Sequence, residues 1–229
     1  TDNAATDSHW ATEMTYDYYS KVHNRNSIDN AGFKLINYVH YDKNLFNAYW
    51  NGQYMVYGDG STNQTPLTAV DIGGHEMTHG LTERSAGLAY QNESGALNES
   101  FSDILGTCVE FYAKPTDANW DIGEDVGALR NMQNPKSHQQ PDTYKGQQWY
   151  TGTGDNGGVH YNSGVQNRWF YVLVSGAKGT NDLGTAYDVK GIGMDKAAKI
   201  VFRNLTMNLT SSSNYAASRT GALKAAKDL

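Results

Sequence analysis

VDIGGHEMTHGLTE, residues Val70 to Glu83, places His75 and His79 four residues apart with Glu76 between them. On a helix, residues four apart lie one above the other on one face, so both imidazoles can reach a single Zn²⁺. Glu76 then sits at the flank of that face, where it can reach a metal-bound water without ligating the metal. Ile72, Met77 and Leu81 repeat at helical spacing with the histidines and predict a helix over 71–86, although Gly73 and Gly74 weaken its first turn. A catalytic zinc needs a third protein ligand. Glu99 and Asp103 stand four apart in NESFSD, on a predicted helix over 94–113 that is apolar at Phe101, Ile104 and Leu105. Glu99 can ligate, and Asp103 can accept the other ring N–H of a ligating histidine. Asp71 is a rival ligand, but it stands a turn before His75 on the helix side opposite to His79.

Outward from this pair, residues 6–23 read as a first helix, with Trp10, Met14, Tyr18 and Val22 on one face and Thr6 or Asp7 as its N-cap. FKLINYVHY and QYMVYG have strand character between Asn and Gly turns. Residues 114–161 read as loops around Pro115, Pro135, Pro141 and the glycines of YTGTGDNGGVH, and helical patterns return near 162–176, 191–209 and 214–228. The expected fold is α+β: a small β-rich N-terminal part, a central active-site helix and a mostly α-helical C-terminal part. The division falls at 1–88 and 89–229, with a zinc cleft between the two parts.

The 229 residues are 38% hydrophobic and carry a net charge of −6. Lys and Arg are scattered singly, which argues against nucleic acid or an anionic membrane as partner. No run approaches the roughly 18 apolar residues of a membrane span, and TDNAATDSHW lacks the order of a signal peptide. The chain begins without Met, so a processed form is expected. A single cysteine, Cys108, excludes an internal disulfide and reads as a small buried hydrophobe.

HEMTHG, GLAYQNESGALNESFSD and DNGGVHYNSG, in that order and spacing, resemble the thermolysin-type neutral metallopeptidases. The likeness runs from WATEMTYDYYSKVHNRNS to SNYAASRTGALKAAKDL, nearly the whole chain. It implies that His75, His79 and Glu99 hold zinc and that Glu76 is the general base. It further implies that His160, oriented by Asp155, and Tyr90 donate to the oxyanion, where fixed donors are usually the largest catalytic contribution. Asn47 and Ala48 match groups that hold the substrate backbone, and Arg130 matches an arginine that grips a substrate carbonyl. Ile72 and Leu129 match the wall of the pocket for the residue after the cleaved bond. Asp71, Glu110, Asp121 and Glu124 match a calcium site of hard carboxylate oxygens, which Asn119 or Asp117 would complete; one or two structural Ca²⁺ are expected. The VGAL stretch before Arg130 is too short for the further calcium site of relatives. Set against relatives, the resemblance implies that the stretch read here lies after their N-terminal β-rich portion and before their last C-terminal helix.

The function expected is a secreted, extracellular zinc endopeptidase, a monomer that cuts peptides or proteins before large hydrophobic residues. A separate N-terminal fragment could associate with it. Two alternatives stay open: a zinc aminopeptidase, which would need an acidic anchor for a free amine, and a catalytically impaired peptide-binding fragment.

Overall fold

Gly73 and Gly74, which weaken a helix on propensity, are the points at which two other helices press on it. The computed structural model describes residues 2–229, and its centre is a pair of buried helices, α2 (Val70–Glu83) and α3 (Asn92–Ala113), preceded by α1 (Asn3–His23). A Cβ on Gly74 would stand 3.0 Å from the Gly106 Cα of α3, and one on Gly73 would stand 2.6 Å from the Ala11 Cβ of α1. A helical glycine costs about 1 kcal/mol against alanine. Fully burying a Leu, Ile or Phe contributes about 1.5–3 kcal/mol, and Leu81, Leu97, Phe101, Ile104 and Leu105 are all buried in this core. Close packing therefore outweighs propensity.

Helix α1 starts earlier than residue 6, and neither Thr6 nor Asp7 caps it. The Asp2 carboxylate accepts from the Ala5 N–H, while the Thr6 hydroxyl turns back to the Asp2 carbonyl. A three-stranded sheet follows, of β1 (Asn37–Tyr38), β2 (Ala48–Trp50) and β3 (Met55–Tyr57) in the order β1-β3-β2, with β1 parallel and β2 antiparallel to β3. Strands β1 and β3 fall in the expected segments; β2 was not anticipated.

Beyond α3, β4 (Asp121–Ile122) and β5 (Arg130–Asn131) pair across a short excursion. Then come α4 (Asp155–Asn162), α5 (Gly164–Ser175), a hairpin of β6 (Ala177–Thr180) and β7 (Ala186–Val189), α6 (Met194–Arg203) and α7 (Tyr215–Asp228). The helix expected over 162–176 is thus two elements, with α4 reaching into a stretch read as loop. The pattern over 191–209 leaves α-helical geometry after Arg203, where one π-helical stretch carries Asn204–Asn208. The architecture is α+β as expected, with the three-stranded sheet before α2 and most helices, joined by two small two-stranded pairs, after it.

Candidate metal centre and cleft

The i, i+4 spacing on α2 brings His75 Nε2 and His79 Nε2 to 3.1 Å from each other. From α3, Glu99 comes within 3.4 Å of each, through Oε2 to His75 and Oε1 to His79. A tetrahedral zinc with bonds of about 2.0–2.1 Å holds its ligand atoms about 3.3–3.4 Å apart, so these residues fit the ion. Among the described residues this is the one cluster of three ligand side chains close enough to share a metal. Glu99 is buried, and its Oε2 has no hydrogen-bond donor, as a group reserved for a cation would be.

The electrostatics point the same way. Burial alone would lower His75, but hydrogen bonds to Asp103 and Glu99, with their charges, raise it to about 10. Burial would push Glu99 up, yet the charges of His79 and His75 and the His75 hydrogen bond hold it well below its usual range. The pocket favours positive charge between the imidazoles and the carboxylate.

Both imidazoles are oriented from behind. Asp103 Oδ1 accepts from His75 Nδ1 at 2.8 Å, as its spacing from Glu99 predicted. His79 Nδ1 donates to Asn98 Oδ1 at 2.7 Å, a partner the sequence reading missed. Asp71, the rival ligand, is turned away, with its oxygens accepting from the Ile72 and Gly123 N–H groups.

Glu76 lies beside the cluster without joining it, one oxygen 4.0 Å from His75 Nε2. Its other oxygen accepts the Trp50 N–H at 3.1 Å, a role for β2 that was not foreseen. Burial raises Glu76 above its ordinary value against the pull of the two histidines, which suits a group that must take up a proton.

The cluster opens into a cavity of about 580 Å³. Asn47, Ala48, Ile72 and Leu129 line it as expected, joined by Leu67, which was not singled out. His160 and Tyr90 also face it, their side chain atoms 3.2 Å apart at Nε2 and the hydroxyl. Tyr90 donates a short bond to Glu99, and His160 Nε2 is 3.4 Å from the same oxygen. Asp155 holds His160 twice, accepting from its Nδ1 at 2.6 Å and its backbone N–H at 2.8 Å. Four successive residues with positive φ, Asp155 to Gly158, make this clasp possible. Two of them must be glycine for space: a Cβ on Gly157 would meet Asn92 Oδ1 at 2.2 Å and one on Gly158 the Tyr150 ring at 2.4 Å.

Arg130 lines the cavity but is committed first to Asp103, donating from Nε and Nη2 at 2.9 and 2.7 Å. Its guanidinium thereby supports the orienter of His75, and Nη1 takes no part in that pair.

The five residues expected to hold calcium do not converge as a set. Asp71, Glu110 and Glu124 feel one another's charge without closing into a set that shares a metal: burial, with the carboxylates of Glu124 and Asp71, pushes Glu110 up to about 9, and burial raises Asp71 to about 6. Both Glu110 oxygens and one of Glu124 are buried without donors. Asp121 instead accepts from Asn131 Nδ2 at 2.5 Å, and Asn119 accepts the Asp121 N–H at 2.7 Å.

Comparison with known proteins agrees with this geometry. A family model described as thermolysin metallopeptidase, catalytic domain, matches residues 1–83, and one described as thermolysin metallopeptidase, alpha-helical domain, matches residues 86–229. Bacillolysin of Bacillus cereus is 48% identical over 239 residues, a match that covers 100% of this chain and 40% of that protein. Thermolysin of Alicyclobacillus acidocaldarius subsp. acidocaldarius is 46% identical over 240 residues, covering 100% of this chain and 42% of the relative. The solved precursor of protealysin from Serratia proteamaculans superposes with a TM-score of 0.86 at 34% identity, covering 100% of this chain and 73% of that one. The chain thus spans about 40% of the length of the curated relatives it matches.

Proposed function

The chain belongs to the thermolysin metallopeptidase family, and from that membership and its cleft we propose that it is a secreted zinc endopeptidase. The observation that carries the reading is the tetrahedral spacing of His75, His79 and Glu99 with Glu76 alongside. Zinc, when bound by these three residues, polarises the scissile carbonyl and lowers the pKa of a water. Glu76 takes the proton from the attacking water and passes it to the leaving amine, its carboxylate held in place by the Trp50 N–H. Tyr90 and His160 donate to the oxygen on which negative charge develops, and Asp155 fixes the imidazole so that Nε2 faces that oxygen. Asn47 and Ala48 hold the substrate backbone, with Arg130 Nη1 as a further donor. Ile72, Leu129 and Leu67 form an apolar wall, so cuts fall before Leu, Ile, Phe or Val. A structural calcium drawn in by Asp71, Glu110 and Glu124 would relieve the repulsion among these carboxylates, of which Asp71 and Glu110 are buried.

The test is hydrolysis of a peptide blocked at both ends by the zinc-loaded chain and by Glu76→Gln. The parent should cut it internally. Glu76→Gln should keep one zinc per chain and lose about 10²–10⁴-fold in kcat. Cleavage only of peptides with a free amine would make it an aminopeptidase, and binding without cleavage a peptide-binding fragment. A fully active Glu76→Gln would refute the mechanism.

A further inference from the structure

Helices α5 and α7, with the loop before α4, line a second, half-open cavity of about 390 Å³ that shares no lining residue with the cleft. That volume lies within the roughly 300–1,000 Å³ typical of small-molecule sites. The rings of Tyr144, Trp169 and Tyr215 form its walls, with Tyr144 and Tyr215 centroids 5.5 Å apart. Arg219 also lines it, exposed and without an ion pair among the described residues. Lys145 Nζ lies 5.2 Å from the Tyr144 ring, outside the cavity lining. The carboxylate behind this wall, Glu93, is already committed, accepting from the Tyr144 hydroxyl at 2.8 Å and the Tyr215 N–H at 3.1 Å. Aromatic walls suit a flat apolar body, and a free guanidinium suits a carboxylate in two-point contact.

The remaining polar lining makes the cavity more than a surface hollow. Gln166 and Ser218 are each 4% exposed, and they begin a continuous line of buried hydrogen bonds. Ser218 Oγ donates to Gln166 Oε1 at 2.6 Å, Gln166 Nε2 to Ser100 Oγ at 3.3 Å, and Ser100 Oγ to Asn167 Oδ1 at 2.7 Å. Asn167 Nδ2 then donates to Asp103 Oδ2 at 2.8 Å, and Asp103 is the orienter of His75. The bonds run head to tail, an arrangement in which each polarises the next. No member can change partner without leaving a buried neighbour unmet, at about 1–3 kcal/mol.

We propose that this cavity binds a small aromatic carboxylate and that the buried chain from Ser218 to Asp103 transmits its occupancy to the metal centre. The first half stands on the cavity alone. The second rests on the zinc reading above, because the groups behind metal-ligating histidines change metal affinity by about 10–100-fold when disturbed.

Indole-3-acetate is the probe, and isothermal calorimetry on the full chain loaded with zinc reads its binding. One saturable site is expected, weakened at least tenfold by Arg219→Gln, by Trp169→Ala, or by replacing the probe with neutral indole-3-acetamide. Zinc affinity is then measured by chelator competition with and without saturating probe. It should change at least threefold in the parent and not in Ser100→Ala, which cuts the chain but leaves the cavity walls. Asn167→Leu, which also cuts the chain and lies off the cavity lining, should behave likewise and replaces it if Ser100→Ala does not fold. Absence of saturable binding, or binding indifferent to Arg219→Gln and to the amide, overturns the site. Normal binding with unchanged zinc affinity overturns the coupling. Failure of zinc to bind at all would instead refute the metal reading, and calorimetry on the metal-free chain would still decide the cavity.

Discussion

His23 closes α1 with its ring stacked on Phe202 at 4.0 Å and edge-on to Tyr18 at 5.1 Å, its Nε2 buried without a partner. Burial, with the charge of Lys199, lowers it from 6.5 to about 3. The unfolded chain takes up a proton near pH 6.5, whereas the folded chain resists until about pH 3. Stability from this group is therefore complete above pH 6.5 and is lost as pH falls through that window, at about 1.4 kcal/mol per pH unit. At pH 4.5, two units into the window, the loss is about 3 kcal/mol. His23→Phe keeps the stack on Phe202 and removes the proton site. It should leave stability near the parent value at pH 7.5 and exceed the parent by about 3 kcal/mol at pH 4.5, a Tm difference of about 6–12 °C for a chain of this size. Thermal melts of both proteins at the two pH values, in a Glu76→Gln background that suppresses self-cleavage, measure it. A Tm difference that is the same at both pH values would refute the reasoning.

Asn98→Ala removes the acceptor of His79 Nδ1 and should weaken zinc about 10–100-fold by chelator competition, with Asn98→Asp recovering most of the loss; unchanged affinity would mean that Asn98 orients nothing. Glu110→Gln takes one carboxylate from the acidic trio, so the gain in Tm on adding calcium under saturating zinc should shrink well below that of the parent, and an equal gain in both would remove the calcium assignment. Gly106→Ala aims a Cβ at the Asp71 carbonyl 2.5 Å away. Since backbone must move to admit it, overpacking of about 1–3 kcal/mol is expected, seen as a Tm lower by about 2–12 °C; a Tm equal to the parent's would show that α2 and α3 are free to separate.

How much of the site was legible follows from how local its signals are. His75, Glu76 and His79 share one helix face, and Glu99 with Asp103 repeat the same i, i+4 logic on the next helix, so spacing alone picked out the three side chains that the structure brings together and the carboxylate behind His75. Asn98 carried a weaker cue: a second ligating histidine also needs an orienter, and Asn98 is the polar residue directly before Glu99. The bond from Trp50 to Glu76 had no sequence signature, because a backbone N–H looks alike in every residue. Helix α4 was read as loop since DNGGVH opens with four residues of positive φ, and only the clasp of Asp155 on His160 and the space taken by Asn92 and Tyr150 give that turn a fixed shape. The hairpin of β6 and β7 was invisible for a different reason. No residue of AKGT or AYDV is fully buried, so neither strand needs an apolar face.

The calcium residues show where a family likeness and local physics part. Resemblance gathers residues by position, and position put Asn119 and Asp121 with Asp71, Glu110 and Glu124. The hydrogen bonds separate them: Asp121 has Asn131, and Asn119 has the Asp121 N–H, whereas both Glu110 oxygens have no donor. A buried carboxylate without donors must take up a proton or meet a cation. Glu110 already has the Lys114 ammonium 3.8 Å from Oε1, so the unmet oxygens of Glu110 and Glu124 mark a place short of donors, and the response to added calcium decides whether a further cation answers it. The same reasoning selects Glu99 over Asp71 at the zinc centre, since Asp71 has backbone donors and Glu99 keeps Oε2 free.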